Sequence, residues 1–179
     1  NHSDVEDNTI KKKLENVLLN LPIKEREIEK EIDPFNPYWE KRYYEKLFNT
    51  ERNDENLKKI CLNYIEGLEW NMLYYTSGCP DWNWKYKYHY PPLLTDLIKH
   101  IPYFNTRFIK NKNPDPLPEL VQLAYVLPRS KLHLLPFALY EKVKNKNWYS
   151  DDLEFKWSFC KYLWEAHMVF EVININELK

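Results

Sequence analysis

Hydrophobic residues recur three to four positions apart over two stretches of the chain, and this spacing predicts helices. Residues 38–48 place their apolar side chains on one side of a helix. A second, longer amphipathic helix is predicted to begin after Asn53 or Asp54, because either residue can cap a helix. Its apolar positions are Leu57, Ile60, Cys61, Tyr64, Ile65, Leu68 and Met72. Gly78 and Pro80 predict its end, since glycine favours the left-handed conformation found there and proline cannot continue a helix.

Shorter helices are predicted at 93–101, 119–126 and 137–143, with proline-containing loops between them. From residue 153 onwards the pattern is mixed and predicts short elements around buried aromatic residues. Those residues are Trp157, Phe159, Tyr162 and Trp164. The predicted fold class is mainly α, an irregular helical domain with long ordered loops.

The first 36 residues are rich in charge and carry only a weak helical pattern of leucine and valine. Such composition is typical of a solvated linker. We therefore predict a charged linker or N-terminal extension at 1–36 and a folded domain at 37–179.

Aromatic residues occupy every second position from 82 to 90, and we call this stretch the aromatic segment. The rings are Trp82, Trp84, Tyr86, Tyr88 and Tyr90, and the residues between them are Asn83, Lys85, Lys87 and His89. In an extended chain successive side chains point to opposite faces, so five rings would share one face and the basic residues the other. Rings beside cations suit single-stranded nucleic acid, although the same rings could form the edge of an aromatic core.

Composition narrows these interpretations. The 179 residues fit one domain, and a net charge of −1 gives no global basic signal for nucleic acid, so any such contact must be local. No apolar run approaches the length of a membrane span, and no membrane association is predicted. The three cysteines are odd in number and widely spaced, which favours reduced thiols. The chain begins at Asn1, which leaves open a fragment, a processed product or a standalone protein.

Several motifs, in order, resemble the second conserved region of the eukaryotic 5′→3′ exoribonucleases, the XRN family. They lie at 37–44, 64–70, 78–84, 88–92 and 119–128, followed by Leu134-Leu135-Pro136 and Trp164-Glu165-Ala166. The resemblance covers residues 37 to about 178. The Gly-Cys-Pro and Trp-Glu-Ala forms are closer to the cytoplasmic branch that degrades messenger RNA. Cytoplasmic localisation is therefore predicted, with the nucleus as the alternative.

The resemblance implies an enzyme that removes nucleotides from RNA bearing a 5′-monophosphate, using Mg²⁺. It also implies that the metal-binding carboxylates lie in a first conserved region, on the same or another chain, and not on these 179 residues. The second region would pack on that nuclease region, wall the active-site pocket and stack an aromatic side chain on a substrate base. We carry that role onto Trp82 or Trp84, with a slight preference for Trp82. No catalytic or metal-binding residue is predicted here, so the chain alone is expected to be inactive.

Other interpretations stay open at this point. Lys85, Lys87 and His89 could contact RNA phosphates, but a solvated basic face and a structural histidine are the plainer expectations. The chain could also be a detached XRN-derived module that binds RNA or a partner without catalysis. In a purely structural subunit, Trp82 and Trp84 would both be buried in the core.

Overall fold

The computed structural model describes residues 17, 20–110, 115–149, 154–169, 173 and 175–178. These residues form a mainly helical fold, as the sequence predicts. The helices are α1 (Glu27–Ile32), α2 (Trp39–Phe48), α3 (Asp54–Ser77), α4 (Leu94–His100), α5 (Glu119–Val126), α6 (Phe137–Val143) and α7 (Ile175–Leu178), with 3₁₀ helices at Arg129–Leu134 and Leu163–Glu165. Strands β1 (Glu154–Lys156) and β2 (His167–Val169) pair antiparallel, with Phe155 opposite Met168.

The long helix α3 begins and ends where its sequence predicts. The Asn53 side chain accepts a hydrogen bond from the Asn56 N–H at 2.9 Å and so caps the first turn. Gly78 follows the last turn with φ of +93°, a conformation that strains any residue with a Cβ. These two residues fix the ends of the 24-residue helix on which the aromatic segment packs.

The first of two hydrophobic cores joins α1, α2, the beginning of α3 and the end of the aromatic segment. Its buried residues are Ile32, Tyr43, Tyr44, Leu47, Leu57, Ile60 and Tyr90. The Tyr44 hydroxyl accepts from the Leu93 N–H at 3.0 Å and donates to the buried Asp96 carboxylate at 3.1 Å. Arg52 pairs with the same carboxylate at 2.7 Å. This network fixes the chain between the aromatic segment and α4.

The second core lies in the later part of the chain, where α5, α6 and the first 3₁₀ helix meet. It contains Val121, Ala124, Leu132, Leu135, Val143 and Tyr149. The Tyr149 hydroxyl donates to the Ala124 carbonyl at 2.7 Å, so the loop after α6 is tied to α5. Helix α7 also contacts α5.

Residues 20–36 make specific contacts with the rest of the described chain, while the domain boundary at residue 37 stays a prediction. Ile32 is only 1% exposed in the first core, and the Ile23 N–H donates to the Lys161 carbonyl at 2.9 Å. Glu29 accepts from the Phe159 N–H at 2.7 Å and from Arg26 at 2.8 Å. The charged side chains hide this packing in the sequence. Residues 1–16, 18 and 19 lie outside the described part, so the linker stays a prediction for them.

Two of the four aromatic residues expected to be buried near the C-terminus are exposed. Phe159 is 53% exposed because it sits at a positive φ of 64° in a turn, where its backbone N–H turns towards Glu29. Trp164 is 60% exposed and stacks on Tyr162, with ring centroids 6.0 Å apart. Trp157 and Tyr162 are half-buried.

Candidate nucleic-acid interface

Trp82 stands at the tip of a turn that directly follows α3. The Asp81 side chain accepts a hydrogen bond from the Asn83 N–H at 2.8 Å, which closes an Asx turn around Trp82. The indole N–H of Trp70, on α3, donates to the Asp81 carbonyl at 2.9 Å and holds the turn against the helix. The Trp82 ring is 49% exposed. A rigid support therefore presents a large ring to solvent.

Trp84 points the opposite way and packs into α3. Its ring stacks on Trp70 with centroids 5.8 Å apart and an interplanar angle of 22°. The ring also lies over Gly67, where an added Cβ would come within 2.7 Å of the indole. Its buried Nε1–H has no hydrogen-bond partner among the described residues. The contacts of Trp84 are those of a structural residue.

The extended conformation that would place both tryptophans on one face is therefore not present in the structure. The aromatic segment is not a β-strand in the structure, and the turn at 81–83 rotates Trp82 out of the row formed by the later rings. Because Trp82 is half exposed, the interpretation in which both tryptophans are buried in the core does not fit either.

The three tyrosines of the aromatic segment face inwards. Tyr86 meets Tyr64 edge to face at 5.7 Å, and its hydroxyl donates to the Tyr90 carbonyl at 2.8 Å. Tyr88 packs on Phe48 with centroids 5.5 Å apart, and Tyr90 is 7% exposed. Burial raises the pKa of Tyr86 well above its usual value, with the neighbouring tyrosines adding to the shift. These rings anchor the segment on the first core.

Of the three candidate RNA-backbone contacts, Lys85 and Lys87 are exposed and His89 is partly buried. The Lys87 N–H donates to the buried Asn63 side chain at 3.0 Å, so the backbone at 87 is fixed while its ammonium group faces solvent. Burial, and then the positive charges of Lys156 and His167, lower the pKa of His89. A lowered pKa keeps the imidazole neutral near pH 7, so His89 is a poor partner for a phosphate. RNA contact by these residues stays a prediction.

A second group of exposed aromatic and apolar side chains, which the sequence did not single out as exposed, lies on the last turns of α3. Leu68 is 52% exposed, Met72 66%, Tyr74 45% and Tyr75 84%. Tyr74 stacks on Trp70 with centroids 5.3 Å apart, so Tyr74 continues the stack that begins at Trp84. The sequence shows that these residues are apolar or aromatic, but it does not show whether another part of the chain covers them.

Comparison with known proteins agrees with the resemblance that the sequence motifs indicate. A family model described as the Xrn1 helical domain matches residues 3–178. The chain belongs to this family. The match confirms the resemblance found in the motifs, and it begins well before residue 37.

Relatives of this XRN helical domain carry the name 5′-3′ exoribonuclease 2. The protein from Candida albicans is 30% identical over 181 residues, which are 96% of the chain and 18% of that protein. The protein from Gibberella zeae is 33% identical over 143 residues, 76% of the chain and 14% of that protein. The protein from Debaryomyces hansenii is 29% identical over 189 residues, 99% of the chain and 19% of that protein. The chain thus spans about a fifth or less of these relatives, and its branch within the family stays a prediction.

Two further properties concern the described part of the XRN helical domain. It contains no group of three or more His, Cys, Asp or Glu side chains placed to hold a metal ion. The same part contains no helix long and apolar enough to cross a membrane.

Cys61 is buried in the first half of α3. Its burial, and to a lesser degree the negative charge of Asp96, raise the pKa of its thiol to about 11, which disfavours the reactive thiolate.

Proposed function

We propose that this XRN helical domain is part of a 5′→3′ exoribonuclease that degrades RNA bearing a 5′-monophosphate. In this proposal the domain walls the active-site pocket of a separate nuclease region, on the same or another chain, and Trp82 stacks on a base of the substrate. The nuclease region binds Mg²⁺ and supplies the catalytic carboxylates. We place the enzyme in the cytoplasm, with the nucleus as the alternative compartment.

The exposure of Trp82 is the observation that carries the stacking role. An indole that is 49% exposed offers a face to a base, and the hydrogen bond from Trp70 to the Asp81 carbonyl limits the entropy that stacking would cost. Base stacking on an aromatic side chain stabilises binding by about 1–3 kcal/mol per base. The contacts of Trp84 with Trp70 and Gly67 favour Trp82 over Trp84 for this role.

The exposed apolar face at the end of α3 supports packing against the nuclease region. Leu68, Met72 and Tyr75 follow one another at helical spacing and are each more than half exposed. Contiguous exposed apolar surface commonly marks a protein interface. Tyr75 of this face meets Tyr74 edge to face at 5.5 Å, and Tyr74 stacks on Trp70, which holds the Trp82 turn. In this proposal, docking here places Trp82 at the edge of the pocket.

The stacking role is tested with Trp82→Ala in the full-length enzyme that contains this domain. We expect RNA degradation to slow by about tenfold or more at subsaturating RNA, with an unchanged melting temperature, since Trp82 contributes little to the core. Trp82→Phe should restore much of the rate, because a phenyl ring can still stack. The matched control is Phe35→Ala, which removes a 97% exposed ring between α1 and α2 and should leave the rate unchanged. Wild-type degradation by Trp82→Ala would refute the stacking role.

The proposal that catalysis requires a separate nuclease region is tested with the 179-residue chain by itself. We expect no Mg²⁺-dependent degradation of 5′-monophosphorylated RNA until the nuclease region is added. Degradation by the chain alone would contradict the proposal. RNA binding without any gain of activity on adding the nuclease region would favour the detached module instead.

A further inference from the structure

A basic cleft of about 700 Å³ lies beside the aromatic segment, and it plays no part in the stacking site. Three separated segments of the chain form it: 58–66 on α3, 87–88 in the aromatic segment, and 100–110 from the end of α4 onwards. Among the described residues, five Lys or Arg side chains line it but only one carboxylate, that of Glu66. The cations are Lys58, Lys59, Lys87, Arg107 and Lys110.

Most of this positive charge is not neutralised by the protein. Among the described residues, Lys59 alone of the five forms an ion pair, with Glu55 at 2.6 Å. Glu66 accepts a hydrogen bond from the Asn63 side-chain amide at 3.0 Å. The chain as a whole has a net charge of −1, so the cleft concentrates positive charge on a nearly neutral protein. A concave surface of one sign focuses the field on an oppositely charged ligand.

Aromatic side chains stand among the cations and indicate what kind of anion fits. Phe104 is 76% exposed at the cleft, and Tyr88 and Phe108 also line it. Cations that follow a phosphate backbone, together with rings that stack on bases, are the combination found in sites for single-stranded nucleic acid. A small inorganic anion would gain nothing from an exposed phenyl ring.

We propose that the basic cleft binds the sugar-phosphate backbone of single-stranded RNA and that Phe104 stacks on one of its bases. The proposal rests on the proposed function in one respect, since it takes RNA to be the substrate. Residues 82–88 lead from Trp82 into the cleft, so an RNA strand stacked on Trp82 can continue past Lys87 into it. The cleft would hold nucleotides away from the scissile end.

The test measures how salt weakens the binding of a 20-nucleotide oligouridylate to the protein. The oligouridylate carries a 3′-fluorescein, and its fluorescence anisotropy is followed in the presence of EDTA. For single strands, the slope of log affinity against log salt becomes shallower by about 0.7 for each phosphate that the protein no longer neutralises. Lys58→Gln/Lys110→Gln should therefore reduce the slope by about 1.4 and weaken binding at low salt. Neither lysine makes an ion pair within the described part of the chain, so folding should not change.

The matched control is Lys131→Gln/Lys142→Gln, which removes two exposed lysines outside the cleft. This double variant should bind with nearly the wild-type slope. An equal reduction of slope in both double variants would overturn the proposal, since it would mean that RNA responds only to overall charge.

Phe104→Ala separates stacking from charge. Its affinity for the oligouridylate should fall by roughly tenfold while the salt slope stays at the wild-type value. Unchanged affinity would remove Phe104 from the site.

The cleft proposal and the Trp82 proposal can be refuted separately. If Trp82→Ala weakens binding but Lys58→Gln/Lys110→Gln does not, only the cleft proposal is overturned. If the cleft variant binds RNA normally but no longer associates with the nuclease region, the cleft is a protein interface and the proposal is again overturned. If the wild-type protein does not bind the oligouridylate at all, the cleft proposal is overturned, whereas the Trp82 proposal is still decided by the degradation rate of Trp82→Ala in the full-length enzyme.

Discussion

The two halves of α3 differ in what covers their apolar side chains. In the first half, residues 54–67, Leu57, Ile60 and Cys61 are at most 7% exposed, because the chain packs α2, α4 and the aromatic segment against them. In the second half, residues 68–77, Leu68 and Met72 are more than half exposed. One hydrophobic stripe thus serves two purposes. The chain covers the first half itself and leaves the second half for another surface.

The largest expected effect lies in the first half. Ile60→Ala removes a side chain that is 1% exposed, and we expect the free energy of unfolding to fall by about 2–5 kcal/mol in urea denaturation. The control is Leu68→Ala in the second half, which should stay within about 0.5 kcal/mol of wild type. Equal losses in the two variants would show that the chain covers both halves alike.

Gly67, at the junction of the halves, should give the next largest effect. Gly67→Ala places a Cβ within 2.7 Å of the Trp84 ring, and overpacking of this kind costs about 1–3 kcal/mol. Alanine regains up to about 1 kcal/mol through its higher helix propensity, so a net loss of about 1–2 kcal/mol is expected. The loss should shrink when Trp84 is replaced by Phe. A Gly67→Ala protein more stable than wild type would contradict the close packing of Trp84.

Glu69 makes the main polar contact of the second half, and its removal should have a moderate effect. Its carboxylate accepts from the Phe108 N–H at 2.6 Å and the Ile109 N–H at 3.1 Å. Glu69→Ala leaves both donors without that partner and should destabilise the protein by about 1–2 kcal/mol in thermal denaturation. Glu45→Ala, which removes an exposed carboxylate 3.6 Å from Lys41, should cost no more than about 0.5 kcal/mol.

Tyr75→Ser should have the smallest effect on stability and the clearest effect on assembly. Tyr75 is 84% exposed, so the free energy of unfolding should change by less than about 0.5 kcal/mol. The affinity of this variant for the nuclease region should nevertheless fall, as measured by isothermal titration calorimetry. Unchanged affinity in Tyr75→Ser and in Met72→Ser would mean that the nuclease region docks elsewhere.

Sequence pattern predicted the helices well because their signals are local. Asn53 and Gly78 bound α3 where the capping rules place them, and the bounds of α5 and α6 match those predicted from period and proline. The family was also recognisable from ordered motifs, since these depend on residue identity and order alone.

Side-chain exposure was less predictable because it depends on contacts between distant segments. Alternation at 82–90 predicted one aromatic face, but a single hydrogen bond from Asn83 to Asp81 turns Trp82 outwards. Charge at 20–36 suggested a linker, although Ile32 among those charges is buried against α2. The inward tyrosines could be expected from the same alternation, but the difference between Trp82 and Trp84 could not.

The basic cleft was not predicted because no stretch of sequence contains it. Lys58, Lys87 and Arg107 are each ordinary surface cations in their own segments. They come together only when the aromatic segment and the loop after α4 fold against α3. A local charge count cannot find a cluster of this kind.

The stack of Trp84, Trp70 and Tyr74 has an optical consequence. The two indole rings lie 5.8 Å apart with planes inclined at 22°, so their transition dipoles couple when the protein is folded, and a skew between the dipoles makes this coupling optically active. Folded protein should therefore show an exciton couplet in its circular dichroism spectrum, and Trp84→Phe should abolish it. Because the stack forms only when the aromatic segment docks on α3, the couplet reports that docking without any attached label.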